Sequence, residues 1–130
     1  MATEVTRVPG LPVVIIDNLP PIKVPDDQMV ASTEAAKLKR ELGRPVYRII
    51  GVTKIDLTFS DMVMAMGVDR DQEGGVGDDD VTTIFVGSGE LVKMGTNALA
   101  EQDQYGGKGK VFMFTTQEEA LAFVREREGK

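Results

Sequence analysis

"VTTIFVGSGELVKM", residues 81–94, changes structural type in its middle. Val81 to Val86 are β-branched, apolar or aromatic throughout, the composition of a buried strand. Gly87 and Ser88 interrupt that run. Beyond them Leu91, Met94, Ala98 and Leu99 recur at helical spacing, which predicts a helix over 88–104. A strand that passes into a helix after so short a break is one β-α unit. Repetition of that unit along the chain decides the fold.

The unit recurs on both sides of this stretch. "PVYRIIGV" (45–52) reads as a strand, and a short helix begins near Ser60, which is a suitable N-cap with Asp61 in the first turn. Phe59 and Met64 have the spacing of a hydrophobic staple around that cap. "LPVVIID" (11–17) is a β-branched run bounded by prolines. After a turn and a short extended piece around Ile22 to Val24, a helix opens at Asp26. Ala31, Ala35, Leu38 and Leu42 give this helix an apolar face, Lys37, Lys39 and Arg40 suit its C-terminal end, and Gly43 stops it. Downstream, "KVFMF" (110–114) is the last strand. In "TTQEEALAFVREREGK", Thr116 and Glu119 form a capping box, and Ala120, Phe123 and Val124 face inward. Strand then helix, four times over, implies an α/β fold. We expect a single layered domain over 11–130, with a mostly parallel sheet of four to five strands and about four helices, preceded by a flexible tail over 1–10.

Composition narrows the chemistry. Of 130 residues 42% are hydrophobic and 28% charged, as in ordinary globular chains. No apolar run approaches the roughly 20 residues that span a bilayer, and the first residues lack the layout of a signal peptide, so a cytoplasmic protein with no membrane span is expected. The chain has no cysteine and no histidine. Disulfides and thiolate chemistry are excluded, and the usual proton shuttle and commonest transition-metal ligand are missing. No nucleophile–base pair and no cofactor fingerprint is visible, so neither an enzyme nor a bound cofactor is expected. The net charge is −6. Residues 56–80 alone carry eight acids against one base, Arg70. Such a surface repels phosphate backbones, which argues against nucleic acid and suits a basic partner or a cation.

Within that region "DRDQEGGVGDDD" (69–80) imitates a calcium loop. Asp69, Asp71 and Glu73 stand at its first, third and fifth places, Gly74 at the sixth and Asp80 at the twelfth. An EF-hand needs a helix on both sides, however, and a strand follows here. Asp80 is also one methylene shorter than the usual bidentate glutamate. A solvated helix-to-strand bend, with Gly74, Gly75 and Gly77 supplying flexibility, is favoured over weak cation binding, and no metal site is assigned.

Three stretches, "IIGVTKIDLTFSDMVMAMG", "VTTIFVGSGELVKM" and "VFMFTTQEEALAFVRE", together resemble the STAS domain of anti-sigma-factor antagonists and the related SpoIIAA-like proteins. The likeness covers the chain from about residue 11. That resemblance implies a regulatory module acting through protein–protein contact. In antagonists the second helix opens with Asp-Ser-Ser-Gly, and its second serine is a phosphorylation switch. Ser60 falls at that serine, but Thr58 stands for the Asp, Phe59 for the first serine and Asp61 for the glycine. Plain capping by Ser60 is therefore favoured over a switch. Met62, Met64 and Met66 cannot all enter one core, because alternate helical positions point to different sides. They suit either an adaptable partner-binding face or core and homodimer contacts.

The leading expectation is thus a non-catalytic interaction module whose partner-binding or switch residues are Thr58, Ser60, Asp61, Met62, Met64 and Met66. An alternative is a small-ligand binder using the crevice at the carboxyl ends of the strands, with Asp17, Lys54, Asp56 and Ser88 near it. A receiver-like phosphoacceptor fold is a third idea, suggested by "VVIIDN", but "VFMFTT" lacks the lysine such domains place after their last strand.

Overall fold

The computed structural model describes residues 3–20, 26–55, 58, 60, 61, 64, 70, 72–101 and 111–129. The elements run β1 (Thr3–Arg7), β2 (Val13–Asn18), α1 (Asp26–Leu42), β3 (Val46–Gly51), β4 (Val81–Val86), α2 (Gly89–Glu101), β5 (Val111–Phe114) and α3 (Gln117–Arg127). The five strands form one sheet in sequence order, β1-β2-β3-β4-β5. β1 is antiparallel to β2, and every later pair is parallel. The expected α/β class and mostly parallel sheet are therefore present. Among the described residues three helices have defined bounds where about four were expected. Of the fourth, Ser60, Asp61 and Met64 are helical.

The first correction concerns the amino terminus. Residues 3–7, expected to belong to a tail, are an edge strand in register with β2, with Val5 opposite Ile16. Thr-Glu-Val-Thr-Arg carries one apolar residue, so periodicity had little to report. The strand is held by its ladder, by burial of Thr3 and by an ion pair from Arg7 to Glu41 of α1.

The three inner strands β2, β3 and β4 are buried on both faces, as the continuous apolar runs of parallel strands require. On one face Val14, Ile16, Ile50 and Phe85 pack against Ala31, Ala35 and Leu38 of α1 and Leu91 of α2. On the other, Ile15, Ile49, Ile84 and Val86 meet Ala120 and Val124 of α3. Two connecting helices on one face are the pattern for crossovers of one hand in a sheet that grows in one direction. α3 follows the last strand, is free of that constraint, and covers the opposite face. There Phe123 rests on Phe112 and Phe114, with ring centroids 4.6 and 5.3 Å apart. The far end of α3 is tied down by Glu128, which accepts from the Tyr47 hydroxyl at 3.1 Å and pairs with Arg44 at 2.6 Å.

α1 ends as the sequence implies. Gly43 takes a left-handed φ of 63° and its N–H donates to the Lys39 carbonyl at 2.8 Å. Leu42, expected on the apolar face, is instead 46% exposed and stands outside the core that Ala31, Ala35 and Leu38 join.

One polar side chain lies in the middle of this packing. Arg48 of β3 is fully buried, and its Nε donates at 2.8 Å to the hydroxyl of Thr83, its register partner on β4. A buried charged donor that loses an acceptor costs about 1–3 kcal/mol. Thr83→Val should therefore lower the unfolding free energy in urea by about that amount. Thr82→Val, one residue away on the less buried side, should change it by less than about 0.5 kcal/mol.

Candidate functional site

Two regions gather the residues expected to act. The first is a crevice at the carboxyl ends of the parallel strands, where open α/β sheets hold ligands. It encloses about 200 Å³ between Asp17 of β2, Gly51 at the end of β3, Thr53 and Lys54 just beyond it, Val86 of β4 and residues Thr115 to Gln117 at the start of α3. Its floor is apolar, made by Ile49 and Val86. Across its mouth Lys54 Nζ donates to Asp17 Oδ2 at 2.7 Å, and that hydrogen bond raises the lysine pKa.

The local sequence explains this geometry. Asp17 is the first residue of β2 after four fully buried apolar ones, and its carboxylate lies over Gly51, its register partner. A methyl at 51 would stand 2.6 Å from Asp17 Oδ1, so only glycine leaves the carboxylate room. Asn18, buried beside it, donates to the Gly51 carbonyl at 3.1 Å and fixes the strand ends together. On the opposite wall Thr116 caps α3 through its hydroxyl, which accepts from the Glu119 N–H at 3.1 Å. Glu119 in turn accepts from the Thr115 hydroxyl at 2.7 Å and the Thr116 hydroxyl at 3.2 Å, which holds its carboxyl below the ordinary range.

Asp17 and Lys54 are thus brought together as expected. Ser88 is not part of the crevice lining; its hydroxyl accepts from the Leu91 N–H at 3.2 Å and caps α2. Asp56 lies outside the described residues. Sequence reasoning missed Gly51, Thr53 and the Thr115–Gln117 wall. The signal was present in the two-residue step from β5 to the capping box, which fixes the start of α3 beside the strand ends.

The second region is the helical segment after β3. Thr58 and Asp61 bond reciprocally, the Thr58 hydroxyl accepting from the Asp61 N–H and Asp61 Oδ2 accepting from the Thr58 N–H, both at 3.1 Å. That is a capping box with Thr58 as the cap, and Ser60, expected to be the cap itself, lies within the first turn. The correction has a simple cause. Two hydroxyls stood within reach of the helix start, and the carboxylate three residues beyond Thr58 selects it. Thr58, Ser60 and Asp61 are exposed, and Met64 is 68% exposed. Met62, Met66 and the staple residue Phe59 lie outside the described residues.

No protein family, curated relative or solved structure matches the chain.

The acidic stretch is less wet than its composition implies. Lys39 of α1 pairs with Asp78 at 2.8 Å and Glu73 at 3.4 Å, and Arg40 pairs with Glu73. Asp78 also accepts from the N–H groups of Gly74 and Asp80, at 2.8 and 2.9 Å. Gly74 is buried with φ 82°, and a side chain there would strike the Ser32 carbonyl and the Ala36 amide of α1. The expected flexible, solvated bend is, over 72–80, a turn docked on α1. Asp69 and Asp71, the leading calcium-loop positions, lie outside the described residues. Among the described residues no three acids are grouped to hold a metal ion.

Burial pulls the Asp78 carboxyl upward, but the Lys39 ammonium and the two backbone donors outweigh it and leave the pKa below the ordinary 3.8. A lowered pKa contributes stability above the ordinary value that is lost as pH falls through the lowered one. The unfolding free energies of the native chain and Asp78→Asn should therefore differ by a constant amount at neutral pH. They should converge below about pH 4. Gly74→Ala should destabilise by at least about 1 kcal/mol at every pH, from its left-handed φ alone.

Proposed function

We propose that the chain is a non-catalytic interaction module of the STAS-like kind, docking a protein partner or a second copy through the exposed helical segment that Thr58 caps. The observation that carries this reading is the exposure of Met64 on a helix start fixed by the Thr58–Asp61 box. A thioether held in solvent on a capped segment is a ready apolar contact, and its flexibility lets it adapt to a partner. Two features agree with the family resemblance. One is an amino-terminal strand pair followed by alternating strands and helices, the order that the resemblance implies. The other is placement of the helix start after β3, where the resemblance puts the switch serine. Ser60, within the first turn and exposed, is accessible to a modifying enzyme. A phosphate there would meet helix-terminal N–H groups and also the like charge of Asp61. Among the described residues no helix is long and apolar enough to cross a membrane. We place the module in the cytoplasm on the composition already described, and its acidic balance favours a protein partner over nucleic acid.

A second reading, a small-ligand site in the strand-end crevice, is favoured by one observation: the crevice joins an apolar floor to an ion pair at its mouth.

Photo-crosslinkers placed at 60 and 64 should capture a contact that a probe at Ala122, exposed on α3, does not. Met64→Asp should weaken it at least tenfold without changing the thermal midpoint. Capture confined to the α3 face would refute the docking surface. Lack of any phosphopeptide at Ser60 in the native protein, together with normal capture by Ser60→Ala, would remove the switch.

A further inference from the structure

The crevice combines three properties that restrict what could fill it. Its volume of about 200 Å³ is below the roughly 300–1,000 Å³ of sites for drug-sized ligands, so the occupant is small. Its floor, Ile49 and Val86, is apolar, so part of the occupant is hydrocarbon. Among the described residues its lining carries one carboxylate and one ammonium, Asp17 and Lys54, which are paired with each other, and the charge of Glu4, the register partner of Asp17, also acts on Lys54.

Charge balance then separates the ligand classes. A simple anion would gain Lys54 but face Asp17 beside it and the charge of Glu4, which also reaches Lys54. A simple cation would gain Asp17 at the expense of Lys54. A dipolar ion meets both at once. Its ammonium replaces Lys54 at Asp17, and its carboxylate reaches the released lysine. Opening the pair is easy, because Lys54 is mostly exposed and exposed ion pairs are worth little. Asp17 is less exposed and is held over Gly51, so it supplies the fixed half of the site. Thr53, exposed in the lining beside Lys54 in the chain, offers a hydroxyl.

We propose that this crevice binds a small aliphatic zwitterion, of the size of a short α-amino acid, by exchange with the Asp17–Lys54 ion pair. The inference rests on the second reading above and narrows it to one chemical class. The ammonium is taken by Asp17, the carboxylate by Lys54, and the side chain lies on Ile49 and Val86.

The test is an amide-resolved NMR titration of the full chain with alanine, valine and leucine, and with isobutyrate and isobutylamine as singly charged counterparts. The zwitterions should give saturable shifts at Gly51, Thr53 and Gln117, with the singly charged compounds at least tenfold weaker. Asp17→Asn and Lys54→Met should each weaken valine at least tenfold. So should Thr115→Leu, at an exposed rim position that leaves the ion pair in place. The same spectra report whether each variant is folded. Equal binding of isobutyrate or isobutylamine would overturn the zwitterion while leaving a ligand site in the crevice. Failure of every compound to saturate, or shifts unaffected by all three substitutions, would overturn both.

Discussion

The central strand β3 is the constraint on which the rest depends. All six of its residues are buried, and parallel neighbours flank it on both sides. Helices cover one face and a helix covers the other. A strand in that position favours polar atoms only where a partner is built for them, and Thr83 supplies one such acceptor, for Arg48 Nε, within the sheet itself. Both candidate regions emerge where β3 ends. Gly51 and Lys54 enter the crevice, and Thr58 starts the helix that carries Met64. The site geometry is therefore a product of where one buried ladder stops.

The parts of this architecture legible in the sequence are those whose signal is apolar and local. Val13–Ile16, Val46–Ile50 and Val81–Val86 are nearly uninterrupted buried runs, and their positions follow from composition. Gly43 and the Thr116–Glu119 box mark helix ends by backbone chemistry that needs no tertiary context. β1 was not legible because its stability comes from a neighbour and not from its own residues: Val5 is its one apolar side chain, and Arg7 needs Glu41, 34 positions away. The cap of the segment after β3 was misplaced for a related reason. Thr58 and Ser60 are equally good capping residues, and only the reciprocal bond to Asp61 distinguishes them.

The acidic stretch shows how composition misleads when its partners are distant. Read alone, 69–80 is a run of carboxylates with flexible glycines. Placed against α1, two of its acids meet Lys39 and Arg40, basic residues that the helix dipole alone would have justified at that end. Gly74 serves close approach between backbone and helix, and flexibility has no part in it. Half of the crevice was legible in the same limited way. Asp17 and Lys54 stand at strand ends in the sequence, whereas the facing wall at Thr115–Gln117 depends on how the last helix returns over the sheet.

The placement of strands in sequence order bears on how the molecule is made. Each new strand of a nascent chain adds to the edge of a sheet already begun, so assembly can follow synthesis from the ribosome without rearranging earlier pairings. The two faces do not mature together. The α1 side can begin to form once β3 has emerged and is completed by Phe85 and Leu91, while Ile15, Ile49 and Ile84 must wait for residues 117–127. Until then that side is a sticky, unfinished surface, and once it is covered the bonds of Glu128 to Tyr47 and Arg44 hold the end of α3 in place.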